Sequence, residues 1–183
     1  MRPHLHALQR RQAKQRLARA LPLAVAGELP INIAASQAAR LQADEFEAIY
    51  RPKRAAFHDM RAGRGSLAAW NELADAMNLS IALAAMQIAS NHAATFQAAS
   101  EALAELLQRQ RQTGRWTLRG PEIAALDLAV QVHRIQLQLC SRGELKQAFD
   151  TVIARAQAAL RGDHAPGVAV IDPGQPTATT ATA

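Results

Sequence analysis

The chain holds one cysteine, Cys140, which excludes an intramolecular disulfide and fits a reducing compartment. Aromatic residues make up 4% of it, with a single tyrosine. β-branched residues are also few, so the side chains that strands favour are scarce. No stretch approaches the ~18 consecutive apolar residues that a membrane-spanning helix needs. Six histidines are present, yet H-E-x-x-H, C-x-x-C and the E-x-x-H pairs of a di-iron bundle are all missing. Neither a metal nor a cofactor is expected. Gly63-Arg64-Gly65 lacks the lysine and the spacing of a phosphate loop. Acid is missing from the start of the chain: Arg2, Arg10, Arg11, Lys14, Arg16 and Arg19 all precede the first carboxylate, Glu28.

What fills the sequence is alanine, with leucine and isoleucine at regular intervals. Apolar residues are 49% of the 183, enough for one domain with tails. Alanine loses no side-chain entropy on entering a helix, and the composition predicts an all-α fold. The net charge of +6 allows attraction to nucleic acid or anionic lipid without specifying either. After the basic stretch comes Leu21-Pro22-Leu23-Ala24-Val25-Ala26, ending in an A-x-A pattern. Six apolar residues including a proline fall short of the ~7–15 of a signal-peptide h-region. The Arg-rich, acid-free arm would also suit an organelle transit peptide; the expected location is the cytoplasm.

Three segments follow from the pattern: residues 1–32 a basic arm and linker, 33–162 a helical bundle, 163–183 a disordered tail rich in Pro, Gly, Thr and Ala. Within the bundle a helix is expected from Ser36 to Tyr50, ended by Arg51-Pro52, then a short one over 53–62 that turns Phe57 and Met60 inward. Ser66 caps the next. Its rows are Leu67, Ala74, Ile81 and Ile88, with Trp70, Met77 and Ala84 beside them. One helix over 66–112 would be about 70 Å long at ~1.5 Å per residue. A domain of this size is roughly 30–40 Å across, so a break is placed at Ser90-Asn91-His92. Gly120-Pro121-Glu122 opens a helix over 121–140. Its wet face is only Asp127, Gln131, Arg134 and Gln138, and it is therefore expected at the centre of the bundle. Ser141-Arg142-Gly143-Glu144 is a capping box for the last helix, 142–161, with Leu145, Phe149, Val152, Ala156 and Leu160 facing in.

Candidate chemistry is sparse. Glu72–Ser80 resembles the start of a helix-turn-helix, with Asn78 in place of the usual turn glycine. The segment that would read DNA, 81–90, offers only Gln87 and no basic side chain, so 72–90 reads as core helix. Arg10, Arg11, Lys14, Arg16 and Arg19 could bind nucleic acid by counterion release, without sequence recognition. His133 and Cys140 share a helix face about 10 Å apart at ~1.5 Å per residue, too far for a nucleophile–base pair. They read as a satisfied core histidine and a small buried thiol. An enzymatic site would require His133 or His58 to meet carboxylates from another helix in a cleft.

The run Trp70-Asn71-Glu72-Leu73-Ala74-Asp75-Ala76-Met77-Asn78, followed by Gly114-Arg115-Trp116-Thr117-Leu118-Arg119-Gly120-Pro121-Glu122, resembles a group of short uncharacterised proteins of proteobacterial prophages and other mobile elements. The resemblance covers roughly residues 55–160 and carries no activity with it. It implies an accessory protein acting in a bacterial cytoplasm. The expectation is thus an all-α bundle of four to six helices with a basic N-terminal arm and a disordered C-terminal tail. It would be a non-enzymatic interaction protein that docks a protein partner or self-associates, with Trp70, Trp116 and the exposed end of the 66–89 stripe as contacts. The alternative is a nucleic-acid-binding accessory working through the arm.

Overall fold

Residues 30–161 are described by the computed structural model, and they form six α-helices and one 3-10 turn. In chain order these are α1 (Pro30–Ala38), α2 (Ala43–Arg61), α3 (Leu67–Ala85), the turn Ser90–His92, α4 (Ala93–Thr113), α5 (Gly120–Leu139) and α6 (Arg142–Arg161). Among the described residues there is no strand, only an isolated antiparallel bridge between Arg40 and Ser141. There the Arg142 N–H donates to the Ala39 carbonyl at 2.8 Å and ties the start of α6 to the end of α1. The all-α architecture read from the sequence is the architecture found. The first helix opens at Pro30, inside the expected 1–32 arm and linker; residues 1–29 and the expected 163–183 tail lie outside the described residues.

The caps form where local chemistry placed them. Ser66 Oγ accepts the Ala69 N–H at 3.1 Å and starts α3. Glu144 accepts from both the Ser141 N–H and its hydroxyl, at 2.7 and 2.8 Å, while Ser141 Oγ accepts the Glu144 N–H at 3.2 Å. Gly114 closes α4 in the left-handed region, φ 73°. The break between α3 and α4 begins earlier than expected, since α3 already ends at Ala85, and it includes the expected turn at Ser90–His92. It is reached through two non-glycine residues in the left-handed region, Gln87 (φ 68°) and Ala89 (φ 53°).

Two expectations are corrected. The helix of Ser36–Tyr50 does not exist as such: the chain breaks at Ala39–Gln42, and α2 then runs unbroken through Pro52 to Arg61. Proline removes the donor for the Ala48 carbonyl, but Ala48 and Pro52 both face solvent, where water can replace it. Burial of Ile49, Tyr50, Ala56, Phe57 and Met60 on either side holds the helix together. The central helix is α3, not α5. α3 touches α2, α4, α5, α6 and the 3-10 turn, and it buries Trp70, Leu73, Ala76, Met77, Leu79 and Leu83. The reason is side-chain size: alanines on nearly every side of α3 let four neighbours approach closely, whereas α5 is studded with leucine and isoleucine.

Long-range polar contacts brace the bundle. Lys53 pairs with Glu72 between α2 and α3, and Arg142 pairs with Glu45 between α6 and α2 at 2.9 Å. Arg109 Nη2 donates to both Glu122 oxygens, at 2.7 and 2.6 Å, and to the Thr117 carbonyl at 3.1 Å. Glu122 also accepts the Arg119 N–H at 2.7 Å. The connector between α4 and α5 is thereby fixed, and Trp116 is laid against the core.

Candidate docking surface

α5 is apolar over more of its circumference than the bundle covers. Leu126, Ala129, Val130, Val132, His133, Gln136 and Leu137 are buried. Turning outward from Val132, the helix presents Leu128, Ile135 and Leu139, which remain 50%, 47% and 48% exposed. Large aliphatic side chains left half in water, aligned on one helix, form a row rather than a scatter. Beyond the row stand Gln131 and Gln138, then Arg134, the one exposed ion on this helix, whose guanidinium lies 6.0 Å from the Tyr50 ring centroid. Other helices are wet differently: α2 exposes Asp44, Glu47, Arg51, Arg54 and Arg61, and α4 exposes Glu101, Glu105 and Arg111. Depletion of charge around an apolar strip marks the centre of protein interfaces.

A second outward hollow, of about 560 Å³, opens between α3 and α4 and is lined by Ile81, Ala84, Ala85, Ser90, Ala93, Ala94 and Gln97. Its lining carries no ionisable group. Ile81 and Ala84 are the parts of the 66–89 stripe that reach it, and Leu67, at the start of that stripe, is 45% exposed.

The interior holds an unforeseen polar cluster. Ser80 Oγ and His133 Nδ1 lie 2.8 Å apart, and Gln136 Nε2 donates to the Ser80 and Ile88 carbonyls at 3.1 and 2.9 Å. Burial, with the Lys53 ammonium adding to it, depresses the His133 pKa from 6.5 to about 3, so the imidazole is neutral at ordinary pH. A serine–histidine contact of this length has the geometry of a nucleophile and its base. Here both side chains are 0% exposed, and the contact pins α5 to α3, while Gln136 ties α5 to the segment after α3 through the Ile88 carbonyl. Among the described residues His133 Nε2 and Gln136 Oε1 have no hydrogen-bond partner, so the expected satisfied histidine is satisfied there on one nitrogen only. Cys140 is fully buried, as expected, and its thiol is pushed up to about 11 by burial and then by Glu144; it stays protonated at neutral pH. His58 is exposed on α2, apart from this cluster.

Trp70 is corrected as a partner contact. It is 1% exposed, and its indole N–H donates to the Leu103 carbonyl at 2.9 Å between α3 and α4. Trp116 is half-buried against the core. A Cβ at Gly65 would lie 2.5 Å from Trp116 Cβ and 2.6 Å from Met60 Sδ, so only glycine admits this packing. The turn that a helix-turn-helix needs near Asn78 is absent: α3 continues through it to Ala85, with Leu79, Ser80 and Leu83 buried. Arg10, Arg11, Lys14, Arg16 and Arg19 lie outside the described residues. The sequence marked α5 as apolar outside Asp127, Gln131, Arg134 and Gln138; what it lacked was any sign that, among the described residues, no neighbour covers the row. Among the described residues no group of three His, Cys, Asp or Glu side chains could hold a metal, and no helix is long and apolar enough to cross a membrane. No protein family, curated protein or solved structure matches the chain.

Proposed function

We propose that this chain is a non-enzymatic helical interaction protein that docks a protein partner through the outward row of α5. The half-exposure of Leu128, Ile135 and Leu139 supports this reading. Full burial of such a side chain is worth ~1.5–3 kcal/mol, so covering three half-exposed ones would release roughly 2–5 kcal/mol from each such face. The accessory role in a phage or mobile element, in a bacterial cytoplasm, rests on the resemblance of 70–78 and 114–122 alone. A photo-crosslinking residue at position 135 of the full chain, in the cell that naturally produces it, tests the docking. A protein adduct is expected at 135 and not at the exposed Gln108 of α4. Equal yields at both positions would reject the row as an interface.

A second reading is favoured by the run of cations before Glu28: nonspecific nucleic-acid binding through the arm. It requires affinity for random-sequence DNA that falls steeply with salt. Removal of residues 1–20 should abolish that affinity, and binding unchanged by the truncation would reject it.

A further inference from the structure

We infer that the occupant of the α5 face is the same face of a second copy, laid antiparallel about a two-fold axis. This deepens the docking reading and rests on it. Leu128, Val132, Ile135 and Leu139 are spaced four, three and four residues apart, a heptad seam of a and d positions. Four-three-four reads the same from either end. An antiparallel copy therefore brings Leu128 against Leu139 of the second copy and Ile135 over its Val132, and the two-fold axis repeats both contacts. Val132 is 3% exposed, so it forms the floor on which the opposing Ile135 sits. Gln131 then lies across from Gln138 of the second copy, and two amides can each donate and accept. The dipoles of the two helices oppose, which favours this direction over a parallel one.

Charge separates the candidates for the site. The chain's own arm would bring cations that precede every acid, and no exposed carboxylate stands on α5; Asp127 is half-buried and accepts the Gln131 amide at 3.0 Å. A cationic partner such as the arm would be desolvated there without compensation. An amide-edged aliphatic face fits a like face. Self-complementary contact of this kind is what a two-fold homodimer demands.

Full-length Leu128→Cys and Leu139→Cys chains, mixed in equal amounts under a mild oxidant, test the register. The mixed 128–139 disulfide should exceed either homodisulfide by about tenfold, since only that pair meets the distance a disulfide requires. Sedimentation equilibrium of the unsubstituted chain from about 5 to about 500 µM should show a monomer–dimer equilibrium, a range suited to a contact of this small size. Ile135→Glu should shift it to monomer; Ile135→Gln serves the same end if the charged variant does not fold. An excess of 128–128 disulfide would overturn the antiparallel register. A strict monomer with no disulfide beyond that of an exposed Gln108→Cys control would overturn self-pairing. In that last case a crosslinked adduct at 135 to a different protein leaves the docking reading standing, and the absence of any adduct removes both.

Discussion

His133 ties the pH dependence of stability to one imidazole. Its pKa is about 3 in the folded chain against an ordinary 6.5. Between those values the unfolded chain holds one more proton, so stability falls as pH falls, by up to ~1.4 kcal/mol per pH unit, and is flat in this respect above about pH 7. Urea unfolding at pH 7.0 and 5.5 should show a midpoint drop in the native chain that His133→Gln lacks. A drop of equal size in both would remove His133 as its source. Gly65→Ala is the second residue-scale test. With Trp116 Cβ and Met60 Sδ at 2.5 and 2.6 Å from the new methyl, overpacking should cost ~1–3 kcal/mol in urea unfolding; a cost near zero would show that the connector simply moves aside. Neither residue's role was legible in the sequence. Ser80 and His133 are 53 positions apart, and their meeting depends on how α3 and α5 cross. The caps at Ser66 and Ser141 were legible because a cap is written within three residues.

Helices are decided by a balance between local propensity and what their neighbours bury, and Pro52 shows which side prevails here. The local rule stops a helix before proline, and it placed the end of a helix at Tyr50, ahead of Arg51-Pro52. α2 instead continues, because five buried side chains from Ile49 to Met60 outweigh the ~3 kcal/mol that an interior proline costs. Pro52→Ala, at an exposed site, should therefore stabilise the protein by about 1–2 kcal/mol, the restored bond to Ala48 being partly offset by the looser unfolded chain. A thermal midpoint that stays level or falls would mean that the packing of α2 depends on the proline's geometry. α5 illustrates the opposite failure of legibility. Its narrow polar stripe, Asp127, Gln131, Arg134 and Gln138, placed it at the centre of the bundle, yet Leu128, Ile135 and Leu139 are left half in solvent. Periodicity tells which side of a helix is apolar, but not whether the chain supplies anything to cover it.

At the scale of the molecule, the layering is inverted from what side-chain size suggests. The helix with the most large aliphatic groups, α5, packs against α2, α3 and α4 but keeps one side in solvent, and the alanine-rich α3 sits among four helices. Small residues at Ala69, Ala74, Ala76, Ala82 and Ala84, all buried, let backbones come close, and four helices share α3 as a common wall. Stability should be graded accordingly. Local opening is cheapest where few apolar contacts are lost and most expensive where every contact runs through one element. α6 packs Leu145 and Ala148 at 0% exposure, but Ala154 and Gln157 are already in solvent, and so is Ala156, which was expected to face in. Native-state hydrogen exchange should thus find the amides of Leu73–Leu83 opening only with global unfolding, and those beyond Ala154 exchanging through local fraying. If the slowest amides lay in α5 instead, the outward row would have to be covered in solution. Diluting the sample would then separate the causes: protection that fades with concentration comes from a second copy, whereas protection that persists places the covering within one chain.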